Sequence, residues 1–228
     1  MHKNAHTQAI RLRRALLQAS SLLLLSILAT GLLGQFSAWS ISHADNENNR
    51  LITQYIVMVD QARSAQAIFK TQVQEWKNTL IRGSNITDRE TFIAAFTKSE
   101  ADTEAKFSEL VRTTTELNLQ SRLAEITAAQ AEHQALGIKY RQALYEDRGG
   151  TFNPAAIDAA VRGMDRHLDV RINILALGLR TDESALIAKL ATSSADRYAT
   201  LSRTLWVLMG VSLLLVATLV FKMLRDHG

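Results

Sequence analysis

The chain has 228 residues, 47% of them hydrophobic, with one proline, ten glycines and no cysteine. This composition suits one helical domain plus membrane segments, and the lack of thiols excludes disulfides, thiolate zinc sites, thioether-attached haem and cysteine nucleophiles. The formal charge of +4 sits at the ends: Lys3, Arg11, Arg13 and Arg14 precede the first apolar run and Lys222 and Arg225 follow the last, while the 20 basic and 21 acidic residues between them nearly cancel. No basic stripe for nucleic acid is therefore expected.

Residues 1–14 read as a basic cytoplasmic N-terminus. From Ala15 to Ser42 no residue carries formal charge, and residues 15–37 suffice for a first transmembrane helix, since about 20 apolar residues cross a bilayer. A cleaved signal peptide is the competing reading, favoured by the basic start and by Ser42-His43-Ala44. The second span is assigned to residues 204–221, uncharged from Thr204 to Phe221 with Trp206 at an interfacial position. Basic residues flank both spans on their outer sides. The positive-inside rule then puts both termini in the cytoplasm, including a tail at 222–228, and residues 38–203 in the periplasm of a bacterial inner-membrane protein.

Within 38–203, Ile52, Tyr55, Val59, Ala62, Gln66, Phe69, Val73, Trp76 and Leu80 alternate spacings of three and four, the buried seam of a helix about 40 residues and about 60 Å long. Gly83 suits the left-handed position after that helix, and Thr87 with Glu90 forms a capping-box pattern for the next. Phe92, Phe96, Thr103, Phe107, Leu110 and Leu117 mark the second stripe. After a break near Asn118 come Leu119, Leu123, Ile126, His133, Leu136, Tyr140 and Leu144, with a stop at Asp147-Arg148-Gly149-Gly150. Asn153 and Pro154 begin a last helix with the stripe Ile157, Val161, Met164, Leu168, Ile172, Leu175, Leu179 and Leu186, continuing into the second span. No strand pattern of useful length occurs. The expected fold is all-α, with two transmembrane helices flanking an up-down-up-down periplasmic four-helix bundle.

The run from Phe69 to Gly83, Phe-Lys-Thr-Gln-Val-Gln-Glu-Trp-Lys-Asn-Thr-Leu-Ile-Arg-Gly, resembles a stretch in the periplasmic domains of proteobacterial methyl-accepting chemotaxis proteins. Val161-Arg162-Gly163-Met164-Asp165-Arg166 resembles that family's second motif, on the last helix. The resemblance implies a chemoreceptor-type ligand-binding domain, normally dimeric. Members of the family continue past the second span into a HAMP linker and a cytoplasmic signalling coiled coil. This chain stops at Gly228, so the expectation is that its signal passes through a partner, either as a homodimer or in a mixed dimer with a full-length receptor.

In the first motif Phe69, Val73, Trp76 and Leu80 fall on the seam, with Gln72, Lys77 and Arg82 beside or off it. The plain reading is a packing motif with solvated charges. The functional one is that Gln72, Trp76, Lys77 and Arg82 line a pocket or dimer face for a small anion or aromatic ligand. Arg162, Asp165 and Arg166 either form an exposed pair of Asp165 with Arg162 or meet Glu75 or another acidic group across the first and last helices. His133 is read as a hydrogen-bonded core residue before a metal or haem ligand, His43 and His167 have no partner at ligand spacing, and Gln66 is read as a register-setting polar core residue. No phosphate loop, zinc-protease helix, nucleophile elbow or kinase motif occurs, so neither enzymatic activity, metal nor cofactor is expected. The expected function is a membrane-bound, chemoreceptor-like sensory module that detects a periplasmic ligand or protein. The alternatives are a structural or scaffolding membrane protein, or a truncated receptor fragment.

Overall fold

The structure, a computed structural model, describes residues 2–146 and 152–225. All regular structure among them is helical: α1 (His2–Arg82), α2 (Ile86–Glu116), α3 (Gln120–Glu146), α4 (Pro154–Val161) and α5 (Asp165–Arg225). The stop expected at Asp147-Arg148-Gly149-Gly150 lies outside the described residues. The chain divides into two compact units, one of Arg50–Ile187 and one made of the chain before and after it.

In the unit Arg50–Ile187 every helix feeds one core: Met58, Phe69 and Trp76 from α1, Phe96, Phe107 and Leu110 from α2, Ile126, Leu136 and Tyr140 from α3, Ile157 and Val161 from α4, and Leu168, Ile172 and Leu179 from α5. The expected seam on α1 is buried at Ala62, Gln66, Phe69, Val73 and Trp76, and the buried face extends one position to its side. Its most buried line is Met58, Ala62, Ala65, Phe69, Gln72, Trp76 and Thr79, still at alternating spacings of four and three, whereas Val59 and Leu80 only pack against its edge. Side-chain bulk pointed to Val59 and Leu80. Neighbours on both sides of α1 instead bury the line between them, which puts the polar Gln72 and Thr79 at its centre. Thr79 resolves its own burial by donating Oγ1–H to Glu75 O at 2.9 Å.

The turns differ in their devices. Gly83 follows α1 as expected, yet its backbone is not left-handed; among the described glycines only Gly163 has positive φ. What Gly83 supplies is room, because a Cβ there would come 2.1 Å from Thr79 O and 2.9 Å from the Phe152 ring. The N-cap of α2 is Asn85, not the Thr87 of the capping-box pattern: Asn85 Oδ1 accepts from the backbone N–H of Thr87 at 2.9 Å and of Asp88 at 3.4 Å. Thr87 is already inside the first turn, where its hydroxyl cannot take the cap geometry.

The break near Asn118 is present. Asn118 sits at φ 55, Leu119 N–H bonds Thr114 O at 3.1 Å and Asn118 N–H bonds Thr115 O at 3.0 Å, the paired bonds of a Schellman ending. Asn153 caps α4 and Pro154 opens it, as the sequence implies. The last helix is not continuous, however: residues 162–164 form a turn between α4 and α5 with Gly163 at φ 76. Met164, expected on the buried stripe, is consequently 39% exposed.

The other unit contains the apolar parts of α1 and α5. Both helices are long and apolar enough to cross a membrane, and the apolar window of each is wholly unburied. Leu24, Ile27, Leu32, Val207 and Leu214 all project outward, a surface that water penalises and hydrocarbon accepts. Polar side chains in this unit are satisfied locally: the hydroxyls of Thr30 and Thr218 donate to carbonyls one turn back, at 2.9 and 2.7 Å, and Ser26 and Ser212 hydrogen-bond to each other across the two helices.

Asn118→Val places a β-branched residue in the left-handed region and is expected to lower stability by about 1–2 kcal/mol, while Asn118→Gly leaves it unchanged or slightly raised; chemical denaturation of both variants checks this.

Candidate functional site

The residues of the first motif enter the core as an aromatic and polar layer. Trp76, 3% exposed, lies against Tyr140 with centroids 4.4 Å apart and planes tilted by 36°, and lies 5.7 Å from Phe96. Phe96 meets Tyr140 edge-on at 5.6 Å, the geometry aromatic quadrupoles prefer. Burial raises the Tyr140 phenol above its ordinary range, and Asp165 and Asp158 add to the effect. One turn before Trp76, Gln72 Oε1 lies 2.9 Å from His133 Nε2, and His133 Nδ1 lies 3.3 Å from Glu104 Oε2. The Phe69 and Phe107 rings flank the imidazole at 6.0 and 5.9 Å. Glu104 also accepts from the side-chain amides of Gln130 at 2.5 Å and Gln134 at 2.7 Å. His133 is thus a hydrogen-bonded core residue joining α1, α2 and α3, and no cluster of three or more metal-ligating side chains occurs among the described residues.

Two further polar sets join the helices. Gln66 donates to Asp169 at 3.1 Å and accepts from Arg63, which also donates to Asn173 at 2.9 Å. Lys70 adds an ion pair with Asp169 at 3.5 Å. These bonds make α1 and α5 neighbours and place Gln66 where a register-setting residue acts. On α3 and α5, Arg122 grips Asp182 with two bonds, at 2.7 and 3.1 Å, close against Gly178, where a Cβ would lie 2.6 Å from the guanidinium. The bonds to Asp182 raise the arginine's already high pKa.

The remaining motif residues lie at the surface. Lys77 and Arg82 are exposed, and the Arg82 guanidinium stands 5.6 Å from the centre of the Phe92 ring. Arg162 pairs with Asp158, one turn earlier, at 2.6 Å, and not with Asp165 as the spacing suggested. The turn at residues 162–164 removes the helical register that pairing required. Asp165 opens α5, where a carboxylate favours the helix dipole, and the exposed Arg166 donates its backbone N–H to Gly163 O. Glu75 accepts from Asn78 at 3.1 Å on its own helix. Gln72 and Trp76 are therefore brought together inside the core, with Lys77 and Arg82 on the outside of the same helix. Glu104, Phe96 and Tyr140 escaped sequence reasoning as partners of the first motif. The stripe positions of Phe96 and Tyr140 mark them as buried but not which layer they share, and Glu104, beside Thr103, lies on no stripe.

Against known proteins, the chain is 31% identical over 159 residues to the methyl-accepting chemotaxis protein CtpH of Pseudomonas aeruginosa. The match covers 66% of this chain and 26% of that protein, so the chain spans about a quarter of the length of the curated relative it matches. No protein-family model and no solved structure matches it. The class this defines is a helical protein related to chemotaxis receptors, with two candidate membrane-spanning helices.

Trp76→Ala removes the centre of the aromatic layer and is expected to cost about 3–5 kcal/mol, whereas Lys77→Ala and Arg82→Ala change stability by less than about 0.5 kcal/mol; thermal unfolding of the three variants measures the contrast.

Proposed function

We propose that the chain is a membrane-anchored sensory module of the chemoreceptor type. The observation that carries this reading is the match to a methyl-accepting chemotaxis protein over 159 residues; the two apolar helices and the helical core of Arg50–Ile187 agree with it. In this reading α1, α2, α3 and the α4–α5 pair form an up-down-up-down periplasmic four-helix bundle, both termini lie in the cytoplasm of a bacterial inner-membrane protein, and the module works as a homodimer or beside a full-length receptor. A periplasmic ligand or protein shifts the packing of α1 against α5. Shifts of an ångström or two suffice for such devices, and the Arg63, Gln66, Asp169 and Asn173 bonds between the two helices supply discrete contacts that a shift would exchange. Lys77 and Arg82 are the side chains that hold an anionic ligand in this reading, with Gln72 and Trp76 responding from within, Arg162 at the end of α4 and Asp165 and Arg166 at the start of α5.

The topology is tested with the protein's lack of cysteine. A membrane-impermeant maleimide is expected to label Gln74→Cys in intact spheroplasts and Arg13→Cys only after lysis; the reverse pattern overturns the orientation.

Sensing is tested by thermal unfolding of the full chain in nanodiscs across amino acids, organic acids and aromatic acids. A ligand at 100 times its dissociation constant stabilises by about 2.7 kcal/mol. A shift confined to one chemical class supports small-molecule sensing, and an affinity unchanged by Lys77→Ala and Arg82→Ala removes those two residues from the site. No shift with any class favours recognition of a protein.

A further inference from the structure

His133 is 1% exposed, and each of its ring nitrogens faces an acceptor: Gln72 Oε1 at Nε2 and Glu104 Oε2 at Nδ1. A neutral imidazole carries one N–H and satisfies only one of them, whereas an imidazolium satisfies both. Gln72 is fully buried, and its Nε2, with two N–H groups to place, makes no hydrogen bond. Turning the Gln72 amide end over resolves the conflict for a neutral ring: the amide then donates to Nε2, Nδ1–H donates to Glu104, and the group left unpaired is a carbonyl oxygen instead of an amino group. Each protonation state of the ring thus has its own orientation of the amide.

We infer that His133, Gln72 and Glu104 form a proton-binding site in the core, in which uptake of one proton by His133 turns the Gln72 amide over and changes the bond between α1 and α3. The proton comes from solvent by way of Glu104, whose side chain is 31% exposed while its other oxygen is held by Gln130 and Gln134. The charged groups acting on the ring are Glu104 and Glu100 from α2 and Arg141 from α3; α1 presents the uncharged Gln72 and the Phe69 ring. Burial holds the folded-state imidazole below its ordinary value of 6.5, outweighing Glu104, which pulls the other way. With the folded value depressed, the stabilisation is complete above the unfolded value and is lost as pH falls through the folded one, so acid loosens this layer. The inference stands apart from the sensory reading. If that reading also holds, external pH becomes an input to the module, because the periplasm follows it.

The test uses the full chain in phospholipid nanodiscs, labelled with nitrogen-15 at histidine and glutamine. His133 is assigned by comparison with His133→Gln, and the amide by comparison with Gln72→Leu. The expected result is a ring neutral at pH 7.5 with its proton on Nδ1, titrating below 6.5, with the Gln72 amide resonances moving at the same midpoint. Over the same range the melting temperature of the wild type falls with acid more steeply than that of His133→Gln. A ring that titrates while the Gln72 amide stays fixed, or one already charged at pH 7.5, overturns the proposal. Equal acid sensitivity of wild type and His133→Gln does so too. Should His133→Gln fail to fold, Gln72→Leu decides: loss of the acceptor is expected to lower the ring's midpoint further, and an unchanged midpoint overturns the coupling.

Discussion

A polar side chain taken out of water must find its partners inside the protein, and unsatisfied buried groups cost roughly 1–3 kcal/mol each. Gln66, Gln72 and His133 are all buried in this core, and the bonds they make cross between helices, although the Gln72 Nε2 is left without one. Gln66 reaches Asp169 on α5 and His133 reaches Gln72 on α1 and Glu104 on α2. Apolar contacts tolerate sliding. A hydrogen bond of about 3 Å does not, so these few bonds select one register from the several that a Leu, Ala and Phe stripe would accept. The aromatic trio of Trp76, Phe96 and Tyr140 then fills the space that this register leaves.

Helices α1 and α5 change surface along their length. Along Arg50–Ile187 they bury one stripe and expose a charged one; in the other unit most of their apolar side chains are exposed. The change is encoded in composition: charged residues are absent from Ala15 to Ser42 and from Thr204 to Phe221. Hydroxyl groups in those stretches turn back on their own helix, which lets serine and threonine sit among leucines without an exposed unpaired donor.

Much of this was legible in the sequence because it rests on local rules. The all-helical class and the breaks at Gly83, Asn118 and Asn153 follow from spacing and end residues, and the isolated His133 reads as a core histidine from its place on an apolar stripe. Other features depend on what approaches from elsewhere in the chain. The central line of α1 passes through Gln72 and Thr79, polar residues that no periodicity rule nominates, because helices on both sides of α1 bury it. The role of Gly83 comes from Phe152, nearly seventy positions later. The turn at Gly163 had a local signal, a glycine inside a stripe, but the stripe's apolar period runs through it unbroken and conceals the interruption. Charge and aromaticity single out Gln72, Trp76, Lys77 and Arg82 in the sequence, whereas the burial of the first two and the exposure of the last two depend on which helices pack against α1.

The threonines of α2 contrast with the glutamines of α1. Thr103 and Thr114 are fully buried, yet both hydroxyls are satisfied within their own helix, by Ser99 O at 2.8 Å and Leu110 O at 2.6 Å. Seen from a neighbouring helix, each presents little more than a methyl group. Polar content alone is therefore a poor gauge of mechanical coupling. These threonine positions of α2 can slip along their neighbours at little electrostatic cost, as a bearing does, while the Gln66 and Gln72 positions of α1 act as detents that hold one position until enough force arrives to release them.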